Sequence, residues 1–123
     1  MTISRTIQGS GDDGYSFKLL IHSETSHGFV RSTFQFGIPW GAGQFEVLSS
    51  EERIRRFILE ISRLMNCDAT GFEYLSDEGN LEIKVKPYAS GRVQITVLGI
   101  PNMAKNDRIE FEFEGLICET AGE

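Results

Sequence analysis

The stretch SSEERIRRFILEISRLM, residues 49–65, shows sustained helical periodicity and decides the fold. Its apolar residues recur at intervals of three and four, which places them along one stripe of an amphipathic helix. These residues are Ile54, Phe57, Ile58, Ile61 and Leu64. Ser49 followed by Glu52 predicts a capping box at the start of the helix. A helix of this kind needs an apolar surface against which to bury its stripe.

Runs of alternating polar and apolar residues flank the helix on both sides. Alternation with a period of two predicts strands that bury one face. The predicted strands are residues 15–23, 29–38, 44–48, 70–75, 81–86, 92–98 and 109–118. Consecutive hairpins favour an antiparallel sheet whose apolar face needs a cover. The sequence therefore predicts an α+β fold, a curled antiparallel sheet of about six to seven strands packed on one central amphipathic helix.

The N-terminal residues 1–14 contain three glycines and few apolar residues. We interpret them as a loose lead to the domain, with a short edge strand over residues 2–8. A chain of 123 residues can build a core without a metal or a disulfide. No internal repeat or low-complexity tract divides it, so residues 1–123 are predicted to form a single α+β domain.

Composition narrows the class of protein. A formal net charge of −6 disfavours nucleic acid or an anionic membrane as the partner, because phosphate binding needs clustered Lys and Arg. No apolar run approaches the roughly 18 residues of a membrane-spanning helix, and residues 1–14 lack the apolar core of a secretory signal. We therefore expect a cytoplasmic protein. In that reducing compartment, Cys67 and Cys118 are expected to be small buried apolar residues instead of a disulfide.

Catalytic and metal-binding motifs are not found in the sequence. It contains no nucleophile elbow, no phosphate-binding glycine loop before a helix and no HExxH. The spacing of His22, His27, Cys67 and Cys118 matches no zinc knuckle or finger. We therefore expect a protein that is not an enzyme and that holds no metal and no cofactor.

The most unusual surface feature is DRIEFEFE, residues 107–114. A period of two places Glu110, Glu112 and Glu114 on one strand face, with successive side chains about 6.8 Å apart. Calcium ligands lie about 2.3–2.6 Å from the ion, so this spacing does not favour a metal site. The row instead allows two interpretations, which the sequence leaves open.

In the first interpretation, the neighbouring strands neutralise the row of glutamates. Pairing Thr96 with Glu110 would set Arg92 against Glu114 and Gln94 against Glu112, and such cross-strand pairs contribute about 0.2–1 kcal/mol each. Two lysines, Lys84 and Lys86, would lie one strand further on the same face. In the second interpretation, the row and the adjacent Asp107 form an acidic patch that docks a basic protein. Acidic complementarity of that kind raises the association rate and sets specificity.

Trp40 lies in a glycine-rich loop, GIPWGAG, residues 37–43. An exposed Trp on such a loop could anchor a partner, because Trp is enriched among interface hot spots. In the alternative interpretation, the ring folds back and plugs one end of the sheet.

The order of these segments resembles small bacterial immunity proteins of polymorphic and contact-dependent toxin systems. The similar segments are YSFKLLIHS, FVRSTFQF, FEVLSSEERIRRFILEISRL, LEIKVK, GRVQITVLG and IEFEFEG, within residues 15–115. The resemblance implies a cytoplasmic inhibitor without chemistry of its own, which binds a cognate toxin domain such as a basic nuclease. Glu110, Glu112, Glu114 and Asp107 would then face the toxin, with Trp40 as an apolar anchor.

Two alternatives without catalytic activity remain. A curled sheet around a helix can leave an apolar cavity for a small molecule, here lined by Phe17, Phe34, Phe36 and Phe111. Exposed sheet edges could also support a homodimer through strand addition, so the sequence leaves monomer and homodimer undecided.

Overall fold

The computed structural model describes residues 3–65, 70–88, 91–101 and 107–121. These residues form eight strands and one helix: β1 (Ile3–Gly11), β2 (Ser16–Ser26), β3 (Phe29–Ile38), β4 (Gly41–Ser50), α1 (Glu51–Met65), β5 (Phe72–Leu75), β6 (Leu81–Pro87), β7 (Val93–Gly99) and β8 (Ile109–Ala121). All strands belong to one antiparallel sheet with the order β4-β3-β2-β1-β8-β7-β6-β5. The α+β class is confirmed, and the sheet has one strand more than the upper predicted number.

The additional strand is β1, and the interpretation of residues 1–14 as a loose lead is wrong for the residues that form it. Instead of lying at an edge, β1 occupies the middle of the sheet, between β2 and β8. Its glycines are compatible with this position because they make room for neighbouring rings. A Cβ built on Gly9 would lie 2.2 Å from the Phe17 ring, and one on Gly11 would lie 2.5 Å from the Phe113 ring.

The helix α1 buries the predicted stripe. Ile54, Phe57 and Ile61 are buried, and Ile58 and Leu64 pack partly buried against the same core. The main contacts of α1 are with β3, β4, β5 and β8, so it lies across the two edges of the sheet and its centre. No helix in the described part of the chain is long and apolar enough to span a bilayer.

The helix covers only part of the concave face, and aromatic side chains fill the remainder. Phe17 and Phe34 are buried and stack with ring centroids 5.7 Å apart. Phe36 of β3 lies 6.2 Å from Phe111 of β8, so the two halves of the sheet face each other across the core. Helix packing therefore differs from the predicted sheet wrapped on one central helix, because the curled sheet also packs on itself.

The two edges of the sheet meet at the turn between β5 and β6. Asp77 N donates to the Leu48 carbonyl at 3.1 Å, and the Asp77 carboxylate accepts from Ser50 N at 2.9 Å. Asn80 Nδ2 donates to the Glu46 carbonyl at 3.1 Å. The turn thus satisfies main-chain groups on the outer side of β4, where a ninth strand would otherwise pair.

The predicted capping box is wrong by one residue. Ser50 is the capping residue, and its hydroxyl accepts from Arg53 N at 3.3 Å. Strand β4 continues to Ser50, so its period of two turns Ser49 inward beside Val47. The buried Ser49 hydroxyl is instead hydrogen-bonded to the Tyr74 hydroxyl.

Cys118 also differs from its prediction. It lies on the outer face of β8 as an exposed free thiol, because the alternation that buries Ile117 points Cys118 outward. Cys67 lies outside the described residues.

The Ser49–Tyr74 hydrogen bond joins β4 to β5 and is expected to contribute to stability. Tyr74→Phe should lower the free energy of unfolding by about 1–3 kcal/mol, because it leaves a buried Ser49 hydroxyl without a partner. Urea denaturation measures this change. Tyr88→Phe is the matched control, since Tyr88 is exposed and its change should stay within about 0.5 kcal/mol. Equal effects of the two substitutions would contradict a stabilising role for the hydrogen bond.

Because the Tyr74 phenol is buried, we expect the protein to lose stability at alkaline pH. Burial raises the pKa of the Tyr74 phenol from 10.0 to about 12. Between these values the unfolded chain has lost the phenolic proton and the folded chain still holds it. The contribution of this pKa shift to the free energy of unfolding is therefore complete below pH 10 and is lost as pH rises toward 12. Thermal unfolding across this range should show a smaller decline for Tyr74→Phe than for the unsubstituted protein; parallel curves would contradict the assignment.

Candidate protein-binding surface

The predicted row of glutamates lies on the outer face of β8. Glu110, Glu112 and Glu114 are all exposed and alternate with the buried Phe111 and Phe113, as the period of two predicts. One strand therefore carries a charged row on its outer face and an aromatic row on its inner face.

The predicted register between β7 and β8 is displaced by two residues. Thr96 lies opposite Glu112 instead of opposite Glu110. A shift of two keeps every side chain on its own face, so the alternation of the sequence fits both registers equally well. The predicted partners nevertheless form contacts along the diagonal. Gln94 Nε2 donates to Glu112 at 2.9 Å, and Arg92 Nε lies 3.4 Å from the Glu114 carboxylate.

The contacts of the row neutralise it only in part. Glu112 accepts from Gln94 and Thr96, which are both uncharged, and so keeps its full negative charge. Glu110 lies 3.6 Å from Arg108, and both side chains are about three-fifths exposed, which makes a weak, screened pair. Lys84 lies two strands away and is itself 3.9 Å from Glu82.

The turn between β1 and β2 adds charge that the sequence did not assign to this surface. Asp12 lies 3.3 Å from Arg92, which also binds Glu114, so one guanidinium ties the turn to β8. Asp13 follows in the same turn, with a φ of 65°. Only the pairing of β1 with β8 brings this turn beside the glutamates. The sequence shows a turn rich in Gly and Asp, but it does not show which strand lies beside that turn.

Six carboxylates and two guanidiniums make up this region, which we call the acidic surface. Its members are Asp12, Asp13, Asp107, Glu110, Glu112, Glu114, Arg92 and Arg108. The formal charge of these eight residues is −4, and Lys84 and Lys86 of β6 lie two strands away on the same face of the sheet. A charge concentrated in this way attracts cations and basic surfaces over about one Debye length, roughly 8 Å at physiological salt.

Trp40 is 73% exposed at the tip of the β3–β4 turn. Its ring meets the Tyr15 ring edge-on with centroids 6.4 Å apart. Tyr15 in turn stacks on Phe111 and Phe113 at 6.1 and 5.9 Å. The structure therefore places Trp40 at the end of an aromatic row that reaches β8, and most of the indole surface stays open to solvent.

The four phenylalanines predicted to line a ligand cavity contact one another instead. Phe34 lies 5.7 Å from Phe17 and 6.1 Å from Phe36, and Phe36 lies 6.2 Å from Phe111. Rings at these distances are in contact and fill the space between them. This packing argues against a small-molecule site among these four residues.

A surface cavity of about 430 Å³ lies between α1 and β5, beside Arg53 and Arg56. Arg53 there donates to the Leu75 carbonyl at 2.8 Å and lies 3.2 Å from Asp77, so it holds the end of β5 and the adjoining turn. Arg55 lies 3.9 Å from Glu51 on the same helix. These contacts are structural, and opposite charges line the cavity, which favours no single class of ligand.

Within the described residues, His22 and Cys118 are not brought together. His22 Nε2 lies 3.1 Å from the Thr33 hydroxyl, which donates to Glu46 at 2.9 Å. Strand register separates His22 from Cys118 by about 16 Å, too far for an activated thiol. Among the described residues, no three His, Cys, Asp or Glu side chains form a group that could hold a metal ion.

Comparison with protein-family models, curated proteins and solved structures yields no match to this chain. The functional argument therefore rests on the geometry and charge of the acidic surface and on Trp40.

Arg92 is expected to be the main structural cation of the acidic surface. Arg92→Ala should lower the free energy of unfolding by about 1 kcal/mol, because it removes contacts to Asp12 and Glu114 together. Arg108→Ala removes the exposed ion pair with Glu110 and should change the free energy of unfolding by less than about 0.5 kcal/mol. Urea denaturation of both variants at low and high salt checks this order. Equal losses, or a loss for Arg92→Ala that salt does not reduce, would contradict the electrostatic role.

Proposed function

We propose that this protein is an immunity-type inhibitor that neutralises a cognate protein toxin by binding it through the acidic surface. The observation that carries the proposal is the charge of −4 on the acidic surface. The exposed Trp40 lies at the end of the aromatic row on the inner side of the same strand. Interfaces commonly combine an aromatic anchor with charges that steer the encounter. The proposed site residues are Glu110, Glu112, Glu114, Asp107 and Trp40.

The chemistry of the surface selects a basic partner. Carboxylates on an exposed strand present acceptors to Lys and Arg, and bidentate Arg–carboxylate pairs are among the strongest of these contacts. A nuclease domain that binds phosphates carries such basic groups. An acidic surface can therefore bind the site at which the nuclease binds its substrate. This proposal includes a role in the cytoplasm and requires neither a cofactor nor nucleic acid.

Charge reversal tests the proposal. Glu110, Glu112 and Glu114 changed together to Lys should abolish capture of a basic partner from lysate of the source organism. The same variant should also fail to protect cells that express the captured partner. Reversing three carboxylates elsewhere, Glu52, Glu73 and Glu78, gives an equal change of net charge and serves as the matched control. These three are also exposed.

Urea denaturation first establishes that both triple variants are folded. Loss of capture and protection only in the β8 variant supports the proposal. Equal loss in both variants would indicate a general effect of net charge, and intact binding of the β8 variant would exclude this face as the binding site.

A further inference from the structure

The hairpin of β1 and β2 ends before its neighbours do. The last pair between β1 and β8 is Gly11 with Gly115, whereas β8 begins six residues earlier at Ile109. Residues 109–114 pair with β7 on one side. On the other side, no main-chain group of the described ranges pairs with them, and the Glu114 carbonyl there accepts from Arg92 Nη2 at 3.3 Å. The sheet therefore has a notch, in line with β1, along the first half of β8.

The β3–β4 hairpin lies on the other side of the β1–β2 hairpin and extends slightly beyond it. The last pair between β2 and β3 is Ser16 with Gly37, and β3 continues to Ile38 before the turn that carries Trp40. Tyr15 lies on the inner side, between Trp40 and the phenylalanines of β8. The inner side of the notch is therefore aromatic, and the outer side carries the row of glutamates.

We propose that residues 109–114 are the site of strand addition by the partner. The occupant is an extended segment of about six residues, roughly 20 Å long, in which basic and apolar residues alternate. Its main chain pairs with β8, its basic side chains lie beside Glu110, Glu112 and Glu114, and its apolar side chains lie against Tyr15 and Trp40. The inference rests on the proposed function and names the partner segment that the acidic surface recognises.

The other sheet edges are less suited to this role. The turn of Asp77 and Asn80 occupies the outer side of β4 over residues 46–50, and Arg53 occupies the Leu75 carbonyl at the end of β5. Residues 41–45 of β4 have no such cover, but they carry no charged side chain, whereas residues 109–114 carry three carboxylates. A second copy is also disfavoured in the notch, because its row of glutamates would face an identical row.

A short synthetic peptide of alternating Lys and Val, with blocked ends, is the probe. Binding is followed by the fluorescence of Trp40, the single Trp of the chain, and by hydrogen exchange of the amides of residues 109–114. We expect saturable binding with slowed exchange there. The triple variant E110Q/E112Q/E114Q should bind about tenfold more weakly at low salt, and the matched variant E52Q/E73Q/E78Q should bind as the unsubstituted protein does.

Backbone methylation of the peptide separates strand addition from simple charge attraction. Alternate residues of a strand point their N–H groups to opposite edges, so methylating only the valines blocks one edge and methylating only the lysines blocks the other. One of these peptides should bind like the unmodified probe and the other should not bind. Equal binding of both, protection at residues 41–45 instead, or no binding of the unmodified probe would each overturn the proposal.

The outcomes keep the two proposals apart. If charge reversal abolishes partner capture but the peptide does not bind, the inhibitor function stands and strand addition fails. If the peptide adds to β8 while capture survives charge reversal, the notch is a strand-addition site and the proposed inhibitory face is wrong.

Discussion

The pairing of β1 with β8 is the constraint on which the remaining structure depends. All other strand pairs join neighbours along the chain, whereas this one joins its two ends. It converts two four-stranded meanders into a single sheet, and it requires the backbones to approach closely. A Cβ built on Gly115 would lie 2.1 Å from the Ser10 carbonyl oxygen, so glycine is needed at that crossing. Because the last pair between β1 and β8 is Gly11 with Gly115, residues 109–114 pair with β7 alone among the strands of the described ranges.

The sheet that this pairing creates still has two outer strands, β4 and β5, and a concave face that needs a cover. Aromatic rings and α1 fill the concave face, and the rings bring β3 opposite β8. The outer edges meet through polar groups, with Asp77 and Asn80 serving β4 and the Ser49–Tyr74 bond joining β4 to β5. Dispersion and burial therefore hold the interior, while directed hydrogen bonds fix how far the sheet curls.

The acidic surface follows from the same geometry. A period of two gives β8 an aromatic face and a carboxylate face, so a partner that pairs with this strand meets both. The row of charges also explains why an open edge need not lead to self-association, because identical rows repel. Arg92 compensates part of the charge and holds the β1–β2 turn against the strand. For the basic partner that we propose, the remaining negative charge steers the encounter and Trp40 adds exposed apolar area.

Local patterns in the sequence determined the helix stripe, the strand alternation and the outward direction of Glu110, Glu112 and Glu114. Each depends on a period that nearby residues carry. The sequence could not determine the central place of β1, because a glycine-rich strand shows little apolar alternation. Nor could it distinguish two registers of β7 on β8, since a shift of two preserves every face. The exposure of Trp40 and the arrival of Asp12 beside Glu114 were decided only by tertiary structure. Both depend on which distant strands pair, and pairing is settled by packing across the whole sheet.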